Sequence, residues 1–435
     1  MQTPDSTTPS CQLDLFGAVL AQYLDGEPRT NDELYRGLAE SGQITREELV
    51  ARTPVGAAAV PVSVAKRRIR WFQQTLKAQG VIERIPGERG TWRIASRDKN
   101  DLTKVPPKVV MLGFSTKLGV ALWGSCHDVF GSLTESIAVC ITSPPYPLAQ
   151  PRAYGNPSRD EWVDFVCKSL EPIVKRLVPG GSIAVNLSND VFESGLPSRS
   201  LYRAKFEIAM AERLGMHLMD QVIWENPNKP PGPFQWASKR RMQLNVGYEP
   251  VLVFCNDPMK SFADNRRVLQ PHSESHQKLI DRGGESRKRV NSDGAYRINP
   301  GAYGNATEGR IPKNVLRFSS SCADQRQMRR MAKAAGLPVH GASMPLALAM
   351  FLVQWLSRPG DLVVDPFGGT QTTPKACELL GRLWMSSEIM AEYVMNGRFR
   401  FDPESLDQPE IARKSLPFST AASNIAILPN VMSGV

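Results

Sequence analysis

The 435-residue chain carries 53 Lys plus Arg against 43 Asp plus Glu, a net charge of +10, with 41% hydrophobic residues and a pI near 9.3. Such a length and apolar content call for two domains with ordinary cores, and the basic excess for a polyanionic partner. No apolar run reaches the ~18 residues of a membrane span, Met1–Ser10 is too polar for a secretory signal, and the seven cysteines lack the paired spacing of disulfide scaffolds or zinc sites. A cytoplasmic protein with no metal site and no membrane partner is expected.

The first hundred residues read as a separate unit. Leu13–Leu24 is apolar on one face, and Thr30-x-x-Glu33 and Thr45-x-x-Glu48 are two capping boxes, each opening a short helix. Ser63–Ala78 predicts a third helix, with Ile69, Phe72 and Leu76 on one face, Lys66, Arg67, Arg70 and Lys77 on the others, and Gly80 as its stop. Val81–Ile85 and Thr91–Ile94 predict a hairpin around Pro86–Gly90. Three helices and a hairpin over residues 1–95 resemble a winged helix-turn-helix, whose basic helix suits either a DNA major groove or a protein partner. Residues 96–108 read as a linker.

Beyond it, the apolar run Ser136–Thr142 ends in Ser143-Pro144-Pro145-Tyr146. Two prolines in succession cannot continue a strand, having no N–H to give, so Ser143 and Tyr146 must project past its carboxyl end. In open α/β sheets ligands bind at that end. A hydroxyl acceptor, a rigid proline carbonyl and an aromatic face suit a planar ring bearing an amino group. Trp162–Val178 predicts an amphipathic helix stopped by Pro179-Gly180-Gly181, and Ser182–Leu187, Gln221–Trp224 and Glu249–Phe254 predict strands. The loop Glu225–Trp236 is rich in proline and carries Phe234 and Trp236.

From Asn256 to Val339 the sheet periodicity disappears, and Lys260–Lys333 holds 16 Lys plus Arg against 7 Asp plus Glu. His272-x-x-x-His276 has helical ligand spacing there but no third ligand. Leu346–Leu356 then predicts a helix, followed by the strand Asp361–Asp365 and the loop Pro366-Phe367-Gly368-Gly369-Thr370-Gln371, with a helix from Thr372 or Thr373 to Leu380, stopped by Gly381. The glycine pair allows close backbone approach. Glu388, nineteen residues beyond Gly369 and after another apolar stretch, copies the carboxylate that binds ribose hydroxyls in dinucleotide folds. The loop has neither a phosphate-binding glycine pattern nor a following lysine, and Asp365 at its mouth repels phosphate. S-adenosylmethionine, with its ribose, ammonium and sulfonium, satisfies all of these constraints.

Together the two motifs resemble the beta class of exocyclic-amino DNA methyltransferases, over roughly residues 105–400. That resemblance implies an α/β, Rossmann-like, S-adenosylmethionine-dependent methyltransferase fold, circularly permuted so that the catalytic motif precedes the cofactor loop. It would occupy 109–400, with a target recognition region at 256–339 and a C-terminal tail at 401–435. It implies Ser143, Pro144, Pro145 and Tyr146 as catalytic residues. Asp365, Pro366, Phe367, Gly368, Gly369, Thr370, Thr372 and Glu388 would hold S-adenosylmethionine. Lys239, Arg240, Arg241, Arg266, Arg267, Arg287, Lys288, Arg289, Arg297 and Arg310 are candidates for double-stranded DNA, and a homodimer is expected by analogy.

The implied reaction is direct methyl transfer to the amine of a flipped-out base. Ring-carbon chemistry is excluded because no cysteine follows a proline. Ser at the first motif position favours cytosine N4 slightly over adenine N6. Two departures stand out: the family's loop usually has Gly where Gln371 stands, and Lys-Pro where Met344-Pro345 stands. They leave open a DNA-binding regulator on a degenerate scaffold.

Overall fold

The computed structural model describes residues 27–55, 60–78, 82–94, 102–148, 157–291, 294, 296–406 and 426–427, together with residues 15, 18, 19, 22, 23 and 155. Gly80, most of Leu13–Leu24 and most of the tail 401–435 therefore lie outside the described residues, although Leu15, Val19 and Tyr23 are buried at a helical spacing of four.

Both capping boxes form. Thr30 and Thr45 accept from the Glu33 and Glu48 backbone N–H at 3.3 and 3.2 Å, and the glutamates accept in return from the threonine N–H at 2.7 and 2.8 Å. They open helices Asn31–Glu40 and Arg46–Val50. Helix Val64–Ala78 buries Ile69, Phe72 and Leu76 in the same cluster as Leu34, Leu38 and Trp92. Strands Ile82–Arg84 and Thr91–Ile94 pair antiparallel, and Arg29–Thr30 adds a third strand. The far end of the expected linker is anchored to the larger unit: Thr103 donates to Glu392 through its N–H at 2.8 Å, and the Val105 N–H reaches the Ile389 carbonyl at 2.8 Å.

The larger unit is built on one ten-stranded mixed sheet. In chain order its strands are β1 (Val110–Ser115), β2 (Gly119–Gly124), β3 (Ile137–Thr142), β4 (Leu177–Asn186), β5 (His217–Glu225), β6 (Tyr248–Cys255), β7 (Val315–Arg317), β8 (Leu362–Asp365), β9 (Leu383–Glu388) and β10 (Ala426–Ile427). Their spatial order is β7-β5-β6-β4-β3-β8-β9-β2-β1-β10. Strands β4, β3, β8, β9 and β2 run parallel, and β6 is antiparallel to both of its neighbours. Every residue of β3 and β8 is buried, as expected for strands covered on both faces. Val139, Ile141 and Val363 pack in the same cluster as helix residues Leu348, Leu352 and Ala376. Cys140 and Val364 join Trp162, Val166 and Leu170 on the other face. Each such fully buried Leu or Val contributes about 1.5–3 kcal/mol relative to exposure.

One predicted boundary is corrected. The helix expected over Trp162–Val178 runs from Arg159 to Val174, opened by Ser158, and Leu177 already belongs to β4. The pairing of Ile137 with Leu177 draws that segment into the sheet, so Pro179-Gly180-Gly181 lies inside a strand. Gly180 adopts φ +90°, and a Cβ there would lie 1.9 Å from the Lys260 carbonyl oxygen. Within 256–339, β7 joins the central sheet beside β5, and helix Ala323–Ala334 packs on helix Ala391–Arg398. A three-residue edge strand is too short to show periodicity in sequence.

Candidate functional site

Strands β3 and β8, 223 residues apart at their ends, lie side by side and parallel, with Val363 opposite Val139 and Val364 opposite Cys140. Ser143–Tyr146 and Pro366–Gln371 therefore leave the sheet at adjacent carboxyl ends. One bond joins them at the root: Thr142 Oγ1 donates to Asp365 Oδ1 at 2.7 Å.

The Ser-Pro-Pro-Tyr turn is held from below and from the side. Trp162 Nε1 donates to the Pro145 carbonyl at 2.7 Å, and the indole is itself packed edge-on against Tyr202 and Phe206. Ser143 Oγ lies 2.9 Å from the Tyr146 hydroxyl, which receives a hydrogen bond from Asn186 Nδ2 at 2.8 Å. Tyr146 donates to Glu249 Oε2 at 3.4 Å, Asn186 Nδ2 reaches the same oxygen at 3.1 Å, and Lys229 Nζ pairs with Glu249 Oε1 at 2.6 Å. Lys229 and Glu249 are both largely buried, at 14% and 15% side-chain exposure. The motif reading missed Asn186, Glu249 and Lys229. A polar residue ending one apolar strand and an acid opening another were the available signals.

At the second loop, Gly369 has φ +49° and Gln371 φ +60°, the left-handed region that favours glycine. Gln371 tolerates it by burying its amide: Oε1 accepts from Ser386 Oγ, and Nε2 donates to the Gly369 carbonyl at 3.3 Å. Space for its stem exists because residue 397 is glycine; a Cβ there would lie 2.2 Å from Gln371 Cγ. The Gly-to-Gln departure is thus matched by a compensating cavity. Met344, the other departure, is half-buried and packs on the core cluster.

Among the expected cofactor residues, Glu388 receives the Gly369 N–H at 2.8 Å on one oxygen and the Met390 N–H at 2.9 Å on the other. Asp365 Oδ1 also accepts from the Phe367 N–H at 3.1 Å. Burial pushes the Glu388 carboxyl up to about 7 and the Asp365 carboxyl up to about 6, against the hydrogen bonds that lower them. No Lys or Arg among the described residues is paired with either carboxylate. Two cation-free carboxylates beside a glycine turn fit a ligand that brings its own ammonium and hydroxyl donors, and oppose a phosphate. S-adenosylmethionine is such a ligand. Pro366 accepts from Ser387 Oγ at 2.9 Å, and the Phe367 ring lies 5.8 Å from that of Phe165. Thr370 faces the scaffold instead: its hydroxyl lies 3.0 Å from Ser343 Oγ and its carbonyl receives buried Arg400, which pairs with Asp324. Thr372 is buried at the first position of its helix.

The basic candidates divide. Lys239, Arg240 and Arg241 are exposed at the end of the π-helical turn Phe234–Lys239, with Lys239 Nζ 5.3 Å from the Phe234 ring centre. Arg287, Lys288, Arg289 and Arg297 are exposed on and beside the hairpin Arg289–Asn291 and Tyr296–Ile298. Arg310 donates to the Pro271 carbonyl at 3.1 Å. Arg266 is clamped on Asp264, and Arg267 is turned inward onto the Ser357 and Phe262 carbonyls. In this position the Arg267 guanidinium braces the helix end at Ser357.

Residues 137–397 match the family model described as DNA methylase, and residues 14–104 match the Mrr N-terminal domain. The chain is 30% identical over 322 residues to the Type II methyltransferase M.PvuII of Proteus hauseri, spanning 74% of this chain and 94% of that one. It is 29% identical over 277 residues to the DNA adenine methyltransferase YhdJ of Escherichia coli (strain K12), spanning 62% and 78%. The solved PvuII DNA methyltransferase (cytosine-N4-specific) superposes with a TM-score of 0.53 at 27% identity, covering 75% of this chain and 98% of that structure.

Proposed function

Because this chain belongs to the DNA methylase family of S-adenosylmethionine-dependent DNA methyltransferases, we propose that its target is N4 of a cytosine flipped out of double-stranded DNA. The observation carrying this reading is the meeting of the amine-binding motif and the carboxylate-flanked glycine loop at adjacent strand ends, tied by the Thr142–Asp365 bond. Cytosine is favoured by Ser143 and by the long cover of the cytosine-N4-specific relative.

S-adenosylmethionine supplies an electrophilic methyl group. The chain's residues supply position. An aromatic amine's lone pair is delocalised into the ring, so the nitrogen attacks only once its protons are held out of plane. Ser143 Oγ and the Pro144 carbonyl are the acceptors assigned to those protons, and Tyr146 the ring it stacks on. Preorganised acceptors of this kind contribute about 10²–10³ in rate, and extrusion of the base costs a few kcal/mol. The loop carrying Phe234 and Trp236 is assigned to the pocket's other wall. Asp365 and Glu388 are assigned to the cofactor, and the exposed cations of 239–241 and 287–297 to phosphates. The same reading places a homodimer on DNA, testable by sedimentation.

Incubation with labelled S-adenosylmethionine and DNA, followed by nucleoside mass spectrometry, is the test. N4-methylcytosine is expected; N6-methyladenine would move the target, and no label would favour a regulator. Ser143→Ala and Tyr146→Ala should lower turnover about 10²-fold or more with cofactor affinity nearly intact. Asp365→Ala and Glu388→Ala should weaken cofactor binding first.

A further inference from the structure

The hydroxyl at the end of Tyr146 carries one proton, and its surroundings decide where that proton points. Asn186 Nδ2 can only donate, so it takes a lone pair of the tyrosine oxygen at 2.8 Å. The Glu249 carboxylate, salt-bridged to Lys229, can only accept, and it receives the tyrosine proton at 3.4 Å. Ser143 Oγ lies 2.9 Å from the same oxygen, a distance at which either hydroxyl can donate; with the tyrosine proton on Glu249, the serine is the donor. Every hydrogen in the chain Ser143–Tyr146–Glu249 then points away from the substrate side. The serine's lone pairs are left to face outward, the state in which it accepts a proton from an amine.

We propose that Glu249, held by Lys229 and Asn186, is a positioning residue that sets the direction of hydrogen bonding in the motif and so makes Ser143 an acceptor. This rests on the reading of Ser143 as the amine's partner. The role requires the charge. In Glu249→Gln, Lys229 retains the amide oxygen, and the NH₂ turns to Tyr146 and donates to it. The tyrosine proton swings to Ser143, and the serine proton then meets the amine head-on. Hydrogen bonds in such chains also strengthen one another, so a reversal at one end is felt at the other.

The test is a double-mutant cycle on single-turnover methyl transfer, with DNA KM, cofactor Kd and Tm measured alongside. Glu249→Gln should lower the transfer rate about 10²-fold while KM and Kd stay within about twofold. In a Tyr146→Phe background, where no hydroxyl relays direction, the same substitution should change the rate less than about twofold. An equal loss in both backgrounds, or a loss in affinity in place of rate, overturns the proposal. Glu249→Asp keeps an acceptor and should retain at least about tenfold more activity than Glu249→Gln; equal losses also overturn it. If Glu249→Gln does not fold, Glu249→Asp carries the cycle: it should slow the wild-type enzyme and leave the Tyr146→Phe protein unchanged. Ser143→Ala separates the two readings. If that variant transfers methyl groups at the wild-type rate, the base site itself is misassigned; if it is dead and the cycle is additive, only the role of Glu249 fails.

Discussion

Glu388 is an acid whose solvent has been replaced by two backbone N–H groups, and those donors do not match what water supplied. Desolvation holds its carboxyl at about 7, and Asp365 at about 6, both above the usual carboxylate range. For the free protein the sign is fixed: a raised carboxyl favours folding fully below its ordinary pKa, and that contribution is lost as pH rises through 6 to 7. For cofactor binding it is opposite, because hydroxyl and ammonium donors need the ionised form. Cofactor affinity should therefore fall as pH is lowered from 8 to 5.5, by up to about tenfold per pH unit below the midpoint. Glu388→Gln should weaken binding at pH 8 and flatten the profile. Titration calorimetry across that range checks both, and an unchanged slope in the variant would remove Glu388 from the site. In sequence, Asp365 and Glu388 were visible as acids at the ends of apolar strands. Asn186 and Lys229 were not, because nothing along the chain says which strand end stands beside Tyr146.

At the scale of elements, the loop Pro366–Gln371 shows how a departure from a pattern is absorbed. A non-glycine residue in the left-handed region costs about 1–2 kcal/mol, and Gln371 offsets this through its bonds to Ser386 and the Gly369 carbonyl. The partner of that exchange is Gly397, in a different helix, whose missing Cβ admits the glutamine stem. Gly397→Ala should lower stability by about 1–3 kcal/mol through overpacking, and Gln371→Gly should relieve most of it. Thermal unfolding of the two single variants and the double variant measures the coupling, which should be absent if the two residues are independent. The capping boxes at Thr30 and Thr45 were legible because each is a bond between residues three apart. The end of helix Arg159–Val174 was not. Val174, Leu177 and Val178 suit either element, and only the pairing of Leu177 with Ile137 decides between them.

For the whole molecule, the excess of positive charge becomes useful only where it is exposed and unpaired. Replacement of Arg240 and Arg241 by alanine should weaken DNA binding across sequences and reduce the salt slope by about one per phosphate contact removed. Arg267→Ala should leave the slope unchanged and lower Tm instead, since its guanidinium braces the Ser357 and Phe262 carbonyls. Binding isotherms at several salt concentrations distinguish the two classes, and a shared slope change would return Arg267 to the DNA surface. The chain by itself determined most of the central strands, the Ser143–Tyr146 turn, the glycine loop and the basic surplus, because each is written in residues a few positions apart, where propensity and local hydrogen bonding act. Folding alone decided that β3 lies beside β8, that Asn186 and Glu249 close around Tyr146, and which arginines are spent on carbonyls. Those outcomes depend on packing between segments tens to hundreds of residues apart, and no local rule relates them.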